Sequence, residues 1–279
     1  MKTIFKRLSS LAFIISASAC VLLPSMASAH PSWVLPSHFS VSKQEGDWIT
    51  FDVTASHGTF VADKPASAEG TYVLMPDGRK ERPAYTVKGK RRSVFDFFFV
   101  EQGTHKVVAD NPAMYLTTFK SGRRDAVKRI RANKSDRAQM LPKDAKDVVS
   151  MKYQRRAETY ITVNAPSEKA LAPSNKGFEA LPVTLPGDMV EGEPVVFKYL
   201  FNGQPASGLE VEIRREGTLY RNQQEEVILT ANEQGEIRFT PKAAGRYLSI
   251  AVHSDKVEND PLADQHRTML NITFEVQLN

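Results

Sequence analysis

Between Phe39 and Asp110 apolar residues recur at every second position, the period of a strand with one face against a core. Trp48 to Thr54 alternates with Ile49, Phe51 and Val53 on one side, and Gly70 to Leu74 predicts a second strand. The turn Met75-Pro76-Asp77-Gly78 ends that strand, with proline and glycine where a tight turn uses them. Arg92 to Val100 predicts a third strand. Ser93, Phe95, Phe97 and Phe99 share one face, and Val94, Asp96, Phe98 and Val100 share the other. Apolar residues on both sides predict a strand covered on both faces, with Asp96 near an edge. Gly103 then leads into a strand over Thr104 to Ala109. Short strands punctuated by turns point to a β-sandwich.

The alternation stops over residues 111–156. Asp125 to Met140 is expected to be helical on Ala126, Ile130 and Ala138, although that apolar stripe is thin. The stretch therefore reads as a basic, partly helical insertion in or after the first domain. Strand character returns from Arg156 to Val163, and Asn164 to Lys176, rich in Ala, Pro, Ser and Lys, reads as a linker.

Beyond Gly177 strands are expected at Pro194–Phe201, Leu209–Arg215, Glu226–Thr230, Glu236–Thr240 and Arg246–His253, with Asn202-Gly203 as the strongest turn signal. Leu248, Ile250 and Val252 are expected to face the core, with Tyr247, Ser249, Ala251 and His253 on the other side. Leu270, Ile272, Phe274 and Val276 alternate as a closing strand. The fold class expected is all-β: two β-sandwich, immunoglobulin-like domains over 30–163 and 177–279, joined by a linker over 164–176.

The N-terminus changes this picture. Lys2, Lys6 and Arg7 precede a largely apolar run from Leu8 to Leu23, and Ala27-Ser28-Ala29 fits the small-x-small rule for cleavage. Residues 1–29 are thus expected to be a signal peptide, and His30 the first mature residue. Cys20, the one cysteine, lies inside that segment, so no disulfide or thiolate is expected afterwards. Ala17-Ser18-Ala19 fits a lipid-attachment motif only loosely, which makes a lipoprotein the weaker reading. No second apolar stretch approaches the ~20 residues a membrane-spanning helix needs. A periplasmic protein with no integral membrane segment after processing is expected.

Loss of Lys2, Lys6 and Arg7 takes the formal charge from +5 to +2. Between Lys120 and Arg156 thirteen Lys/Arg face four Asp/Glu, so this segment carries +9 and the rest of the mature chain −7. Nucleic acid is not expected as a partner of an exported chain. The basic segment reads first as a solvated face and second as a contact for anionic lipid or an acidic partner.

An N-terminal histidine offers its free α-amine and imidazole Nδ1, which close a chelate ring on one metal ion. One further imidazole completes a three-nitrogen site suited to copper(II), nickel(II) or cobalt(II). Pro31 sharpens this, because a site built on N-terminal amides needs an ionisable N–H at the second residue and proline has none. Of the six histidines, His57 in Ser56-His57-Gly58 follows the Trp48–Thr54 strand at a sheet edge, and His253 ends a strand before Ser254-Asp255. Both are candidate ligands after His30. His105 reads as an ordinary strand residue, and His38 and His266 as solvated.

Catalytic motifs are absent from the sequence: no GxSxG elbow, no HExxH, no phosphate loop. Carboxylate pairs such as Glu225-Glu226 and Asp144/Asp147 are ordinary on solvated faces. Polysaccharide-cleaving copper mono-oxygenases also begin on a metal-binding histidine, but the flat aromatic surface and axial aromatic they need are not assignable. No enzymatic activity is expected.

Ala29-His30-Pro31-Ser32-Trp33-Val34-Leu35-Pro36 resembles the start of the DUF4198 family, whose mature chains open with Ala-His, an aromatic and a proline. Ser56-His57-Gly58 is similar to that family's His-Gly step, and Asn202-Gly203-Gln204-Pro205-Ala206 to its second-domain turn. Thr230 to Gly235 and Ala244-Gly245-Arg246-Tyr247 resemble its closing turn and strand entry, with His253 at that strand's end. The resemblance covers nearly the whole mature chain; the basic segment 120–156 matches nothing in it. It implies an exported protein similar to periplasmic components of nickel or cobalt uptake. A divalent transition metal (nickel, cobalt or copper, with iron also open) would be held by His30 with His57 and His253, Trp33 packing beside them. The partner implied is a membrane metal transporter or an outer-membrane receptor. The competing expectation is a non-metal envelope scaffold, binding a glycan or protein through its basic segment.

Overall fold

A computed structural model describes residues 30–279. The expected signal peptide, residues 1–29, and the cleavage after Ala29 lie outside the described residues. The described chain is all-β. Its strands of four or more residues are β1 (Ser32–Pro36), β2 (Asp47–Ala55), β3 (Thr71–Leu74), β4 (Ser93–Phe99), β5 (Gly103–Asp110), β6 (Met114–Ser121), β7 (Ala126–Ile130) and β8 (Lys146–Val163). The remainder are β9 (Phe178–Pro182), β10 (Val195–Phe201), β11 (Glu210–Arg215), β12 (Val227–Thr230), β13 (Glu236–Phe239), β14 (Gly245–Lys256) and β15 (Gln265–Val276).

These strands form three sheets of five, eleven and four strands, counting the two-residue pieces. The large sheet runs β12-β11-β14-β15-β8-β5-β3 and is shared by both halves of the chain. Its spine is β8, 18 residues long. Met151–Thr159 pairs in parallel with Gln265–Thr273 of β15, and Tyr160–Val163 pairs antiparallel with β5.

Two cores lie against this sheet. Val34, Ile49, Phe51, Val53, Phe95 and Phe99 pack against Val107, Ala157, Ile161 and Val163. On the C-terminal side Phe178, Phe197, Tyr199, Phe239, Phe274 and Tyr160 form the second. The expected strands of both halves are present, and Ile49, Phe51 and Val53 are buried as their spacing predicts. Two expectations about faces change. Phe98 and Val100 are exposed, so β4 is covered on one face only. Strand β14 is covered on both: Tyr247 and Ala251 belong to the C-terminal core, whereas Leu248 and Ile250 pack on Trp33, Leu35 and Phe39.

The expected helix over 125–140 is not present; Ala126–Ile130 is a strand paired with β6, and helical geometry is confined to a three-residue 3-10 turn at Arg137–Gln139. Residues of β7 are almost all exposed, so this hairpin has no buried face to imprint a period of two on the sequence. Its register is held by polar contacts. Thr117 Oγ1 donates to the Ala132 carbonyl at 2.8 Å and lies 2.6 Å from Ser150 Oγ. Residues 164–176 are pinned rather than loose: Thr104 N donates to Ser167 Oγ, Ser167 N donates to Thr104 Oγ1, and Ala170 and Leu171 are buried.

Asp264 ties the basic segment to the turn before β15. Its carboxylate accepts from Ser150 N at 2.8 Å and Arg137 Nη1 at 2.6 Å, and lies 2.9 Å from Lys134 Nζ. Burial pushes this carboxyl up, but the Ser150 N–H and the two cations outweigh it and hold the pKa down to about 2. A depressed carboxyl stabilises the fold above the unfolded value of ~3.9 and loses that contribution as pH falls towards 2. Asp264→Asn keeps the shape and removes the charge. It is expected to speed tryptic cleavage at Arg131, Lys134 or Arg137 roughly tenfold, since losing such a clamp favours local opening. Limited proteolysis followed by mass spectrometry measures this, and an unchanged rate would contradict it.

Candidate metal centre

Strand β1 fixes where His30 sits. It pairs antiparallel with β2 in the register Ser32↔Ala55 to Pro36↔Phe51, and all five of its residues are buried. Ser56 N donates to the Pro31 carbonyl at 3.2 Å, which carries the pairing one step beyond the strand. Continued once more, the same register sets His30 opposite His57. Directly opposed residues of an antiparallel pair stand close enough for their side chains to touch, and here the ring centroids are 3.7 Å apart at 39°. Two histidines 27 positions apart thus meet because β1 returns along β2.

The anchoring lies below the pair. Trp33 is 1% exposed, packs edge-on to Phe60 at 5.6 Å, and rests on Leu248 and Ile250 of the shared sheet. Asn271 Nδ2 of β15 donates to the Ser32 carbonyl at 2.6 Å. As the edge strand of the five-stranded sheet, β1 therefore packs on the outer face of β14–β15, and His30 stands just before it. His57 is exposed and His30 half-buried.

A third polar group reaches the pair. Lys64, paired with Ala55 across β2, brings Nζ to 3.5 Å from His30 Nε2. Partial burial lowers the His30 pKa below its ordinary value, helped by His57 and Lys64, while Asp63 opposes the shift. The neutral imidazole that results is the metal-ligating form. The rings lie tilted against one another at 39°. A shared ion requires them to splay and Lys64 to turn away, which side-chain rotation at this solvent-facing edge allows.

His253 does not join the pair. It shares the parity of Tyr247 and Ala251, on the C-terminal core side of β14, whereas His30 belongs to the strand packed on the opposite face. Its ring stacks on Phe201 at 4.0 Å and Phe178 at 5.5 Å, and its Nε2 lies 3.9 Å from Asp255. Burial lowers its pKa, with Asp255 acting the other way. His105 is fully buried, edge-on to Phe99, with neither ring nitrogen partnered. His266 contacts Asp260 at 2.7 Å, and His38 contacts Ser37. Among the described residues no group of three or more His, Cys, Asp or Glu side chains is gathered for a metal. His30 and His57 supply two imidazoles, and in a chain cut after Ala29 the amine of His30 supplies a third nitrogen. The sequence carried no signal for Lys64 or Asp63, which only the pairing across β2 brings in.

A family profile, Domain of unknown function (DUF4198), matches residues 27–255. No curated protein matches the chain. Among solved structures, the D0-D1 domain of Intimin aligns at 10% identity and TM-score 0.20, over 86% of this chain and 95% of that one. The Yersinia pseudotuberculosis adhesin InvE aligns at 10% identity and TM-score 0.22, over 87% of this chain and 58% of that one. An Escherichia coli alpha-2-macroglobulin activated by porcine elastase aligns at 12% identity and TM-score 0.20, over 89% and 31%. Likenesses at these scores carry no argument about this chain.

Proposed function

The chain belongs to the DUF4198 family, and on that footing we propose that it is an exported, periplasmic transition-metal-binding protein. It holds nickel, cobalt or copper through the His30 amine and imidazole together with the His57 imidazole, and passes the ion to a membrane transporter or receptor. The observation that carries this reading is the cross-strand contact of the two rings at 3.7 Å. Two imidazoles and one amine, with no amide N–H at Pro31, make a nitrogen-rich set that suits these ions better than magnesium or calcium. The role is binding and delivery rather than catalysis. In this reading the two cores belong to two immunoglobulin-like domains, 30–163 and 177–279, fused along β8 and β15.

Export with natural cleavage, checked by mass to confirm His30 as residue one, supplies the protein for calorimetric titration with copper(II), nickel(II) and cobalt(II). One-to-one binding is expected. One extra residue before His30, or His57→Ala, should each weaken it about a hundredfold, at the top of the ~10–100-fold range seen when supporting partners of a metal site are lost. Equal affinity in the extended form would remove the amine from the site. No binding in any form would end the metal reading and favour an envelope scaffold.

A further inference from the structure

Where β10 ends in the Asn202–Gly203 turn, at the edge of the C-terminal core, β8 and β15 border a cleft of about 360 Å³. Its floor is one face of the parallel pair, where Lys152 stands opposite His266 and Gln154 opposite Thr268. Its wall is made by Phe178 at the start of β9, Phe201 at the end of β10, and Lys176 just before them. A volume of this size falls in the range of small-molecule sites, ~300–1,000 Å³.

The charges lining it are unequal. Lys152, Arg156 and Lys176 face a single carboxylate, Asp255. That carboxylate stands beside His253, and His266 is taken up by Asp260. Arg156 is held at the floor by its contact with the buried Glu158, 2.6 Å from Nη2, while its Nε is buried without a partner. Neither Lys152 nor Lys176 stands within 4.0 Å of a carboxylate among the described residues, so both ammonium groups are free to meet a ligand. On the same wall as Lys176, the Phe201 ring faces the cleft, stacked on His253 at 4.0 Å and backed by the buried Phe178. Cations and an aromatic ring lining one cleft match a molecule with an oxyanion head and a planar apolar body.

We propose that this cleft is a second binding site, separate from the histidine pair, for a small aromatic or otherwise planar organic anion. Lys152 and Lys176 take its carboxylate or phosphate, Arg156 backs the floor, and Phe201 with Phe178 packs against its body. The site lies on the C-terminal core face of the shared sheet, whereas the His30–His57 pair belongs to the strand on the other face, so the two can be occupied independently.

Phenylphosphate, benzoate, inorganic phosphate and acetate serve as probes, titrated into the full processed protein by NMR. Both aromatic anions should bind at one site, each about tenfold tighter than its non-aromatic counterpart; the tighter of the two identifies the preferred head group. Lys152→Gln with Lys176→Gln, both at solvent-accessible positions, should weaken binding at least tenfold. Phe201→Ala should erase the preference for the aromatic probes. Absence of binding, equal binding of aromatic and non-aromatic anions, or indifference to the lysine variant would each overturn the proposal. A thermal melt of each variant separates a lost site from a lost fold.

Discussion

Replacing Glu158 by alanine is expected to lower the unfolding free energy by about 3–5 kcal/mol, because it strands two buried cations. Glu158 is fully buried on β8, with Lys106 Nζ at 2.8 Å and Arg156 Nη2 at 2.6 Å. The lysine and arginine side chains are only 12% and 19% exposed, so water cannot take over from the carboxylate. Burial by itself would raise this carboxyl, but Arg156 and Lys106 together outweigh it and hold its pKa below the ordinary glutamate value. Replacing the whole triad by well-packed apolar side chains can be neutral, whereas removing the one anion is not. The sign with pH follows from the depressed pKa. The carboxylate's contribution is complete above the unfolded glutamate pKa of ~4.3 and is lost as pH falls through the folded value. Urea denaturation of wild type and Glu158→Ala at pH 7, followed by circular dichroism and tryptophan fluorescence, measures the difference. A change below about 1 kcal/mol would show that water reaches the triad.

That triad also shows what the sequence could and could not announce. Ile49, Phe51 and Val53 alternate because one face of their strand is buried, while Leu270 to Val276 alternate with Asn271 and Thr273 although both faces are covered, and both strands could be read directly. Strand β8 could be read only over its last residues, since Lys146 to Arg156 presents lysine, arginine and glutamine into a cleft and towards solvent. Burial of Glu158 beside Lys106 and Arg156 follows from β5 and β15 flanking β8. That pairing is non-local and leaves no periodic mark. The hairpin of β6 and β7 is the extreme case: with its second strand exposed, thin apolar spacing over Asp125 to Met140 imitates a helix. The candidate metal site divides the same way. His30 and His57 were nameable from local chemistry, an expected cleavage site before one and a loop glycine beside the other. Their contact depends on the β1–β2 register, and the separation of His253 depends on which face of β14 packs against which core.

Trp33→Ala is expected to cost about 3–5 kcal/mol, the usual range for truncating a large buried aromatic. The loss should not stay in the core. Trp33 packs with Leu248 and Ile250 on the outer face of β14, and Phe60 closes on its edge. His30 stands three residues before it, and only the β1–β2 pairing holds its ring against His57. A cavity beneath β1 therefore loosens both the strand and the chelate. Metal affinity should fall roughly tenfold even under conditions where the variant is fully folded, the scale on which supporting residues tune a metal site. Glu158→Ala supplies the control, since its triad touches neither histidine. It should match Trp33→Ala in lost stability and leave metal affinity unchanged. Calorimetric titration of both folded variants decides between the two ways stability can act. If both lose affinity alike, the histidines respond to the stability of the whole sheet; if only Trp33→Ala does, β1 is the element that presents them.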